Sequence, residues 1–466
     1  MEKLSKQMHP FQQYPEKVIQ FGEGNFMRGF VDWQLQQMNQ QQLFEGSAVV
    51  VQPIQQGLGE MLAEQDNLYT VLLEGILDGQ TINSSEIITA INRVINPYDD
   101  FQAFLDLAED DHLEIILSNT TEAGISYVEE DALDMTPPKS FPAKLTALLY
   151  RRFQLNKPGF IIIPCELIDR NGDKLKELIL RYSTAWQLDD AFKTWLEERN
   201  TFCCSLVDRI VPGYPRQKAD ELNERHGYID QLMVKAEPFM LWVIEGPQEI
   251  AEKFPLVEAG LNVIITDDMT PYRERKVHLL NGPHTAMVPL GLLAGVETVE
   301  EIMADPDFSG FIDELFTEEL IPMLNLPQSE LIEYAEQIKE RFKNPFVRHE
   351  LTSIALNSIS KFKARLLPIL LHSLEENKLP KRIIASLAGL IVLYRSNQFT
   401  IQDDAQVISI FEESKEMSSS EAVTFLLSKE SLWGADLVAC GLADTVSHAV
   451  AAIESDGARA FIQQLD

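Results

Sequence analysis

The hydrophobic pattern changes its period near residue 266, and this change limits the folds that the chain can adopt. Before it, short apolar runs such as 17–21 and 48–51 alternate with stretches of helical periodicity. Strands that alternate with helices are typical of βαβ units and a mainly parallel sheet. After it, helical periodicity continues with almost no strand signal. We therefore predict a Rossmann-like α/β domain over 1–268, followed by an all-helical domain over 269–466.

The same pattern predicts the individual elements. Further strands are expected at 68–73, 86–91, 113–117, 160–163, 239–244 and 261–265, with a hairpin around Asp78-Gly79. Helices are expected at 25–41, 99–108, 143–153, 173–182, 191–198, 351–371, 382–394 and 420–427.

Charge and cysteine content restrict the class of partner and the compartment. The chain has 39 Lys and Arg against 72 Asp and Glu, a formal net charge of −33. Nucleic acids and anionic membranes need a basic surface, so neither is an expected partner. No apolar run approaches the ~18 residues that span a bilayer, and the N-terminus has no signal-peptide core. The four cysteines have neither disulfide nor zinc spacing, so we expect a cytoplasmic protein without a metal.

A glycine turn follows the first predicted strand. Gly22-Glu23-Gly24 lies between that strand and a helix, which is the arrangement of a dinucleotide-binding turn. The first glycine permits the turn, and the second lets the backbone approach a pyrophosphate at the helix N-terminus. A third glycine, Gly29, comes later than the usual spacing, and a tight turn without a ligand is the alternative. The predicted cofactor-binding residues are Ile19, Gln20, Phe21, Gly22, Glu23, Gly24, Asn25 and Phe26.

The end of the second strand bears on the choice of cofactor. Dinucleotide sites usually have an acidic residue there for the adenosine ribose. This chain has Gln52, whose amide can hydrogen-bond a ribose hydroxyl, and no nearby arginine for a 2′-phosphate. We therefore predict NAD rather than NADP.

Lys276, Asn281 and His284 form the second candidate site. At ~100° per residue, all three fit one broad face of a helix that begins at Thr270-Pro271. A partly desolvated lysine can act as a general acid–base, an amide can stabilise a developing alkoxide, and a histidine can orient a hydroxyl. These types suit carbonyl reduction or alcohol oxidation; a surface lysine and a core histidine are the alternative. Their position at the domain junction favours a site in the cleft between the domains.

Together, Gly22-x-Gly24-x-Phe26-x-Arg28 and Lys276-x4-Asn281-x2-His284 resemble the polyol-specific long-chain dehydrogenase/reductase family, which includes mannitol dehydrogenases. The resemblance extends through 65–70, 120–124 and 207–210 and covers essentially the whole chain. It implies that Lys276 is the general acid–base, that Asn281 polarises the reacting oxygen and that His284 binds substrate. It also implies that Glu122 borders the site near the nicotinamide.

Segments 21–26, 118–127, 163–169 and 271–281 are most similar to the branch of this family that acts on uronates. The resemblance implies NAD-dependent, metal-independent interconversion of tagaturonate and altronate in galacturonate breakdown. One position departs from the family, because its second oxyanion-hole asparagine falls on Leu167, which cannot donate. Fructuronate or an uncharged ketose remains as an alternative substrate. The alternatives in mechanism are a non-catalytic NAD-binding sensor and Schiff-base chemistry at Lys276.

A uronate carries a carboxylate, so its site needs a cation. Lys361 and Arg365 are four residues apart and share one helix face. The family's basic substrate-contacting position falls on Lys361. We predict that both residues bind the substrate, with a solvated basic face as the alternative.

Overall fold

In the computed structural model, which describes residues 1–465, the chain forms two compact units. The first contains Met1–Glu74 and Ile82–Met269, and the second contains Gly75–Thr81 and the chain from Thr270 onward. The predicted boundary at 268/269 lies beside this division. The tip Gly75–Thr81 of a hairpin belongs to the second unit, where the N–H groups of Asp78 and Gly79 donate to the Glu340 carboxylate at 3.0 and 2.7 Å.

The first unit is built on a six-stranded parallel sheet. Counting only these six strands in chain order, the spatial order is 3-2-1-4-5-6, the arrangement of a Rossmann dinucleotide-binding fold. The Rossmann-like α/β prediction is therefore confirmed. The strands in spatial order are β5 (Ile91–Ile95), β2 (Ser47–Val51), β1 (Glu16–Phe21), β6 (Ile115–Ser118), β7 (Ile161–Pro164) and β8 (Thr201–Phe202).

Both faces of this sheet are buried, which explains the continuous apolar runs of its strands. Side chains alternate between faces, so Val18 and Val50 join one core cluster while Ile19 and Val49 join the other. The remaining strands of the unit form two three-stranded sheets. These are β10 (Val234–Ala236), β3 (Tyr69–Leu77) and β4 (Gln80–Ile88), and then β12 (Val263–Thr266), β11 (Leu241–Glu245) and β9 (Cys204–Asp208).

Helices cover the sheet and confirm those predicted in the first half, with small shifts at their ends. The helices at Gly59–Glu64, Ala219–His226 and Ile250–Lys253 were not predicted. The helices of this unit are α1 (Asn25–Gln40), α2 (Gly59–Glu64), α3 (Phe101–Asp106), α4 (Phe141–Gln154), α5 (Asn171–Ala185), α6 (Asp190–Arg199), α7 (Ala219–His226) and α8 (Ile250–Lys253), with a 3₁₀ turn at Leu107–Glu109.

The second unit is helical, as predicted. Helices α10 and α17 pack closely near Gly389, where an added Cβ would lie 3.0 Å from Leu290. No helix within residues 1–465 is long and apolar enough to cross a membrane. The helices are α9 (Thr270–Arg275), a π-helix (Lys276–Asn281), α10 (Gly282–Leu293), α11 (Val299–Ala304), α12 (Pro306–Glu314), a second π-helix (Leu315–Leu320), a 3₁₀ turn (Ile321–Met323), α13 (Gln328–Phe342), α14 (Leu351–Ile354), α15 (Ser358–Arg365), α16 (Leu367–Glu375), α17 (Lys381–Arg395), α18 (Ala405–Ser414), α19 (Ser419–Leu427), α20 (Glu430–Trp433), α21 (Ala443–Asp456) and α22 (Ala458–Ile462).

The single helix predicted at 351–371 is wrong, because three short helices occupy this stretch. Asn357 has a left-handed φ of 53°, which ends the helical path before α15. Pro368 lies in the first turn of α16 and has no N–H to continue α15.

Candidate active site

The glycine turn closes over the end of the parallel sheet. Gly22 has a φ of +111°, and a Cβ there would lie 2.7 Å from the Asn119 carbonyl oxygen, so a larger residue is excluded. Gly24 precedes α1, and a Cβ there would meet nothing within 4 Å. No side chain caps this helix N-terminus. The turn therefore leaves open space beside the first N–H groups of α1.

A cavity of about 440 Å³ lies beside this turn. It lies at the carboxyl ends of β1 and β6, where the order of connection reverses, which is the usual ligand position in such sheets. Its lining consists of Gly22, Glu23, Gly24, Pro53, Ile54, Asn119, Thr120, Thr121, Ala123, Gly124, Ser126, Val128, Lys139, Ser140 and Phe141.

Glu166 holds the loop that follows β6. Its buried carboxylate accepts hydrogen bonds from the Thr120 N–H at 2.8 Å and from the hydroxyls of Thr120 and Ser118, each at 3.0 Å. Burial raises the pKa of Glu166, and these hydrogen bonds act against that rise. The sequence does not predict this role of Glu166, because Ser118 and Thr120 lie 48 and 46 residues earlier in the chain.

The side-chain amide of Gln52 hydrogen-bonds to backbone groups of the loop that follows β2. Its Nε2 donates to the carbonyl oxygens of Ile54 and Gln55, both at 2.9 Å, and its Oε1 accepts from the Gly59 N–H at 3.3 Å. Gln52 is buried and is absent from the described lining of the cavity. Its predicted contact with a ribose is therefore not supported, because the amide organises the turn after β2.

Three of the predicted cofactor-binding residues end β1 just before the turn. Ile19, Gln20 and Phe21 are fully buried, and Ile19 and Phe21 belong to the core cluster on one side of the sheet. The amide of Gln20 donates to the Gly22 carbonyl oxygen at 3.1 Å. Their side chains thus support the turn from below, because alternate side chains of a buried strand point into the core rather than to its end.

Asn25, Phe26 and Gly29 lie on the first two turns of α1. The Asn25 amide oxygen accepts from Arg28 at 2.9 Å, and Phe26 stacks on Phe30. At Gly29, a Cβ would lie 2.9 Å from Val234 of β10, so the late third glycine serves close helix–strand packing.

A buried polar network lies beneath the turn. The Tyr69 hydroxyl donates to Asp32 at 2.8 Å, and the Arg28 guanidinium lies over the Tyr69 ring. Arg28 also donates to the Glu23 carbonyl oxygen at 3.0 Å and to that of Leu232. Burial raises the pKa of Asp32 to about 7, against its hydrogen bonds and Arg28. Arg28 therefore fixes the turn through its backbone.

In the second unit, Lys276 and Asn281 begin and end one turn of π-helix. The Gly282 N–H donates to the carbonyl oxygen of Val277, five residues earlier. Pro283 has no N–H for the usual bond to Leu279, which favours this wider turn. The predicted angles of ~100° per residue therefore do not apply here. Both side chains are half-buried.

Asn281 is joined to Arg365 through a chain of hydrogen bonds. The Thr285 hydroxyl donates to the Asn281 carbonyl oxygen at 3.0 Å, and Arg365 Nη1 donates to that hydroxyl at 3.1 Å. His278 Nδ1 lies 2.7 Å from the Arg365 carbonyl oxygen and donates to it. His278 is buried, and this hydrogen bond gives it a structural role. Thr285 was not identified from the sequence.

His284 lies in an aromatic cluster. Its ring is 4.3 Å from that of Phe342 and 4.9 Å from that of His349. Burial lowers the pKa of His349, so this ring is held toward its neutral form. His349 was not identified from the sequence, and its neighbour in the chain is Arg348. Arg348 itself is exposed and pairs with Glu297 and Glu350.

Lys361 and Arg365 lie on one face of α15, as predicted. Lys361 Nζ donates to the Ile354 carbonyl oxygen at 2.8 Å. Burial lowers the pKa of Lys361, the nearby Arg365 charge lowers it further, and the Asp403 carboxylate acts against both. Burial also lowers the pKa of Arg365, and no carboxylate among residues 1–465 offsets this. Two half-buried cations side by side suit an anionic ligand.

Leu167 and Glu122 lie in the loops that follow β7 and β6. Leu167 is 64% exposed at the end of β7, and its side chain has no hydrogen-bond donor. Glu122 is exposed on the loop after β6, between cavity-lining residues, and its predicted place beside the nicotinamide stays a prediction. Within the described part of the chain, no three or more His, Cys, Asp or Glu side chains are grouped to hold a metal ion.

Comparison with known proteins covers both units. The family described as "Mannitol dehydrogenase Rossmann domain" matches residues 16–257, and "Mannitol dehydrogenase C-terminal domain" matches residues 268–454. The chain is 46% identical to an altronate oxidoreductase of Bacillus subtilis (strain 168), with 94% of this chain and 92% of that protein covered. It is 44% identical to an altronate oxidoreductase of Klebsiella pneumoniae (strain 342) over the full length of both.

Solved structures share the fold. A ternary complex of Pseudomonas fluorescens mannitol 2-dehydrogenase with NAD and D-mannitol has a TM-score of 0.71 at 22% identity, with 99% of each chain covered. A substrate-free D-sorbitol dehydrogenase has a TM-score of 0.85 at 21% identity, with 99% of this chain and 100% of that chain covered.

Proposed function

Because this chain belongs to the mannitol dehydrogenase family and is an oxidoreductase of CH–OH groups, we propose that it reduces D-tagaturonate to D-altronate reversibly with NADH. Near full-length similarity to altronate oxidoreductases supports a sugar acid of this type. The pair of half-buried cations on α15 is the structural observation that carries the proposal, because it suits the carboxylate of a uronate.

The first unit fits a dinucleotide. Gly22 and Gly24 keep side chains away from the turn, and the cavity of about 440 Å³ adjoins the uncapped N-terminus of α1. The turn 22–26 would hold the pyrophosphate, and Ile54, which is 60% exposed, would cover the adenine. When bound, the nicotinamide supplies the hydride that reduces the keto carbon.

Lys276, Asn281 and His284 would perform the proton chemistry of the second unit. The Lys276 ammonium donates a proton to the carbonyl oxygen as that oxygen gains charge. The Asn281 amide donates a hydrogen bond to the same oxygen and stabilises the developing alkoxide. His284 orients a substrate hydroxyl. Leu167 cannot supply the second oxyanion donor of the family, so at this oxygen the Asn281 amide acts together with the Lys276 ammonium.

Arg365 and Lys361 would bind the substrate carboxylate. Arg365 already donates to Thr285, whose hydroxyl is bound to the Asn281 backbone, so the cation is linked to the proposed oxyanion donor. A guanidinium can bind a carboxylate through two parallel hydrogen bonds, with Lys361 adding a point charge. This arrangement favours a uronate over an uncharged ketose.

The test is a comparison of three keto sugars. Purified protein is mixed with NADH and tagaturonate, fructuronate or fructose, the loss of nicotinamide absorbance is followed, and the product is identified. We expect the highest kcat/KM with tagaturonate and D-altronate as its product. A higher value with fructuronate or fructose would contradict the substrate. Binding of NADH without turnover of any of the three would instead support a sensor.

A further inference from the structure

Glu23 contributes the one carboxylate in the described lining of the cavity. The residue is 6% exposed, and its Oε1 accepts from the Leu58 N–H at 3.1 Å. Its Oε2 has no hydrogen-bond partner within residues 1–465. Burying a carboxylate oxygen without a hydrogen-bond donor costs free energy. A ligand hydroxyl at this point would donate the missing hydrogen bond to Oε2.

The Glu23 carboxylate lies at the end of β2, although the residue itself follows β1. A Cβ added to Gly57 would lie 2.1 Å from Glu23 Oε1 and 2.6 Å from Gln52 Cδ, so the two side chains meet at this point. Leu58, which donates to Glu23, belongs to the same loop after β2. The carboxylate thus lies where other dinucleotide-binding folds place the acidic residue that ends β2.

We propose that Glu23 binds the ribose hydroxyls of the adenosine half of the cofactor and selects NAD(H) against NADP(H). This inference rests on the dinucleotide site of the proposed function. A ribose hydroxyl donates to the open Oε2. A 2′-phosphate has lost most of its protons at neutral pH and adds negative charge beside the carboxylate. The sequence lacks an acid after β2 because the carboxylate comes from the glycine turn.

Lys139 is the competing determinant, because it is exposed in the lining of the same cavity and can attract a phosphate. If Lys139 determines the preference between NAD(H) and NADP(H), a ligand with a 2′-phosphate binds as tightly as the same ligand without it. The substitution Glu23→Gln separates these effects, because it removes the charge and keeps an oxygen that can accept from Leu58. Glu60→Gln is the matched control, since Glu60 is exposed on α2 in the neighbouring loop region.

The experiment is calorimetric titration of the full chain with ADP-ribose and with 2′-phospho-ADP-ribose, which needs no substrate turnover. We expect the wild type to bind ADP-ribose at least about tenfold more tightly, and Glu23→Gln to reduce that ratio at least about tenfold. Glu60→Gln should leave the ratio unchanged. A third titration uses 2′-deoxy-ADP-ribose on the wild type, which avoids any effect of substitution on folding; we expect about tenfold weaker binding.

The outcomes distinguish the inference from the proposed function. An unchanged ratio in Glu23→Gln, or equal binding of ADP-ribose and its 2′-deoxy form, overturns the role of Glu23 and leaves the dinucleotide site standing. Equal wild-type binding of the two phosphorylation states also overturns it. If the wild type binds neither ADP-ribose nor its 2′-phospho form, the dinucleotide site and the inference are overturned together.

Discussion

At the scale of single residues, the sequence shows which groups are present but not which groups they meet. The face shared by Lys361 and Arg365 was predicted because both lie on one helix, where spacing fixes direction. Glu166 was not predicted to hold the loop at Thr120, because its partner is 46 residues away in sequence. The unpartnered oxygen of Glu23 was likewise not predictable, since it depends on a loop 35 residues later.

Arg365 is expected to recognise the substrate carboxylate. Arg365→Gln removes the cation, and the KM for tagaturonate should rise at least about tenfold because a charge-assisted hydrogen bond is lost. The affinity for NADH should not change. The control is Lys363→Gln, which removes an exposed cation from the same helix. Steady-state kinetics with separate binding titrations measure both effects; an equal rise in KM for the control would contradict specific recognition.

Asp32 should make the folded state less stable as pH rises. Burial raises its pKa to about 7 from an ordinary value of 3.8, so between these values the folded state binds the proton more tightly than the unfolded state does. The stabilising effect of the neutral form is therefore complete below pH ~4 and lost as pH rises through about 7. Asp32→Asn should be nearly neutral below pH ~4 and should raise the Tm increasingly as pH rises to ~8.

Thermal unfolding of wild type and Asp32→Asn across this pH range measures the effect. An exposed substitution, Glu60→Gln, serves as the control. A loss of Tm in Asp32→Asn that is the same at every pH would show that Asp32 is ionised in the fold and that its hydrogen bonds with Tyr69 dominate.

At the scale of secondary-structure elements, whether a segment forms a helix or a strand was easier to predict than where a helix breaks or widens. The strand at 17–21 and the helix after the glycine turn were confirmed, because alternation and helical period are visible in the residues themselves. The helix at 351–371 was predicted as one element, because a left-handed Asn357 interrupts the backbone without interrupting the apolar pattern. The π-helix at Lys276–Asn281 was missed for a similar reason, since ideal α geometry was assumed.

Substitutions of the two glycines in the turn should have different effects, one on stability and one on cofactor binding. Gly22→Ala places a Cβ 2.7 Å from the Asn119 carbonyl oxygen at a φ of +111°, so we expect about 1–3 kcal/mol of lost stability. The Cβ of Gly24→Ala meets no atom of residues 1–465 within 4 Å, so the Tm of this variant should stay unchanged while its KM for NADH rises several-fold. Thermal unfolding and cofactor titration separate the two; unchanged NADH binding in Gly24→Ala would contradict a pyrophosphate at this turn.

At the scale of the whole molecule, the change of hydrophobic period divided the chain almost where the structure does. The hydrophobic period cannot show that the hairpin tip Gly75–Thr81 belongs to the second unit. The residues of a hairpin have the same hydrophobic pattern whichever unit the tip packs against. Strand order was equally beyond the sequence pattern, which predicts parallel strands but not their neighbours. The net charge of −33 describes the whole surface, whereas Lys361 and Arg365 create the local environment that an anion meets.

Activity is expected to be independent of metal. The proposed proton donor is Lys276, and no step of the proposed chemistry needs a metal ion. Dialysis against EDTA, followed by assay with NADH and tagaturonate, should leave kcat within error of the untreated protein. Loss of activity that returns on addition of a divalent cation would contradict the lysine mechanism.

The role of Lys276 as proton donor is tested most directly by chemical rescue. Lys276→Ala should bind NADH normally and lose about 10²–10⁴-fold in kcat with tagaturonate, because general acid–base catalysis contributes an effect of this size. Added ethylamine should restore part of that rate in proportion to its protonated fraction. Lys363→Ala should retain wild-type activity. Full activity of Lys276→Ala, or a loss that no amine restores while the fold and NADH binding are intact, would contradict the account.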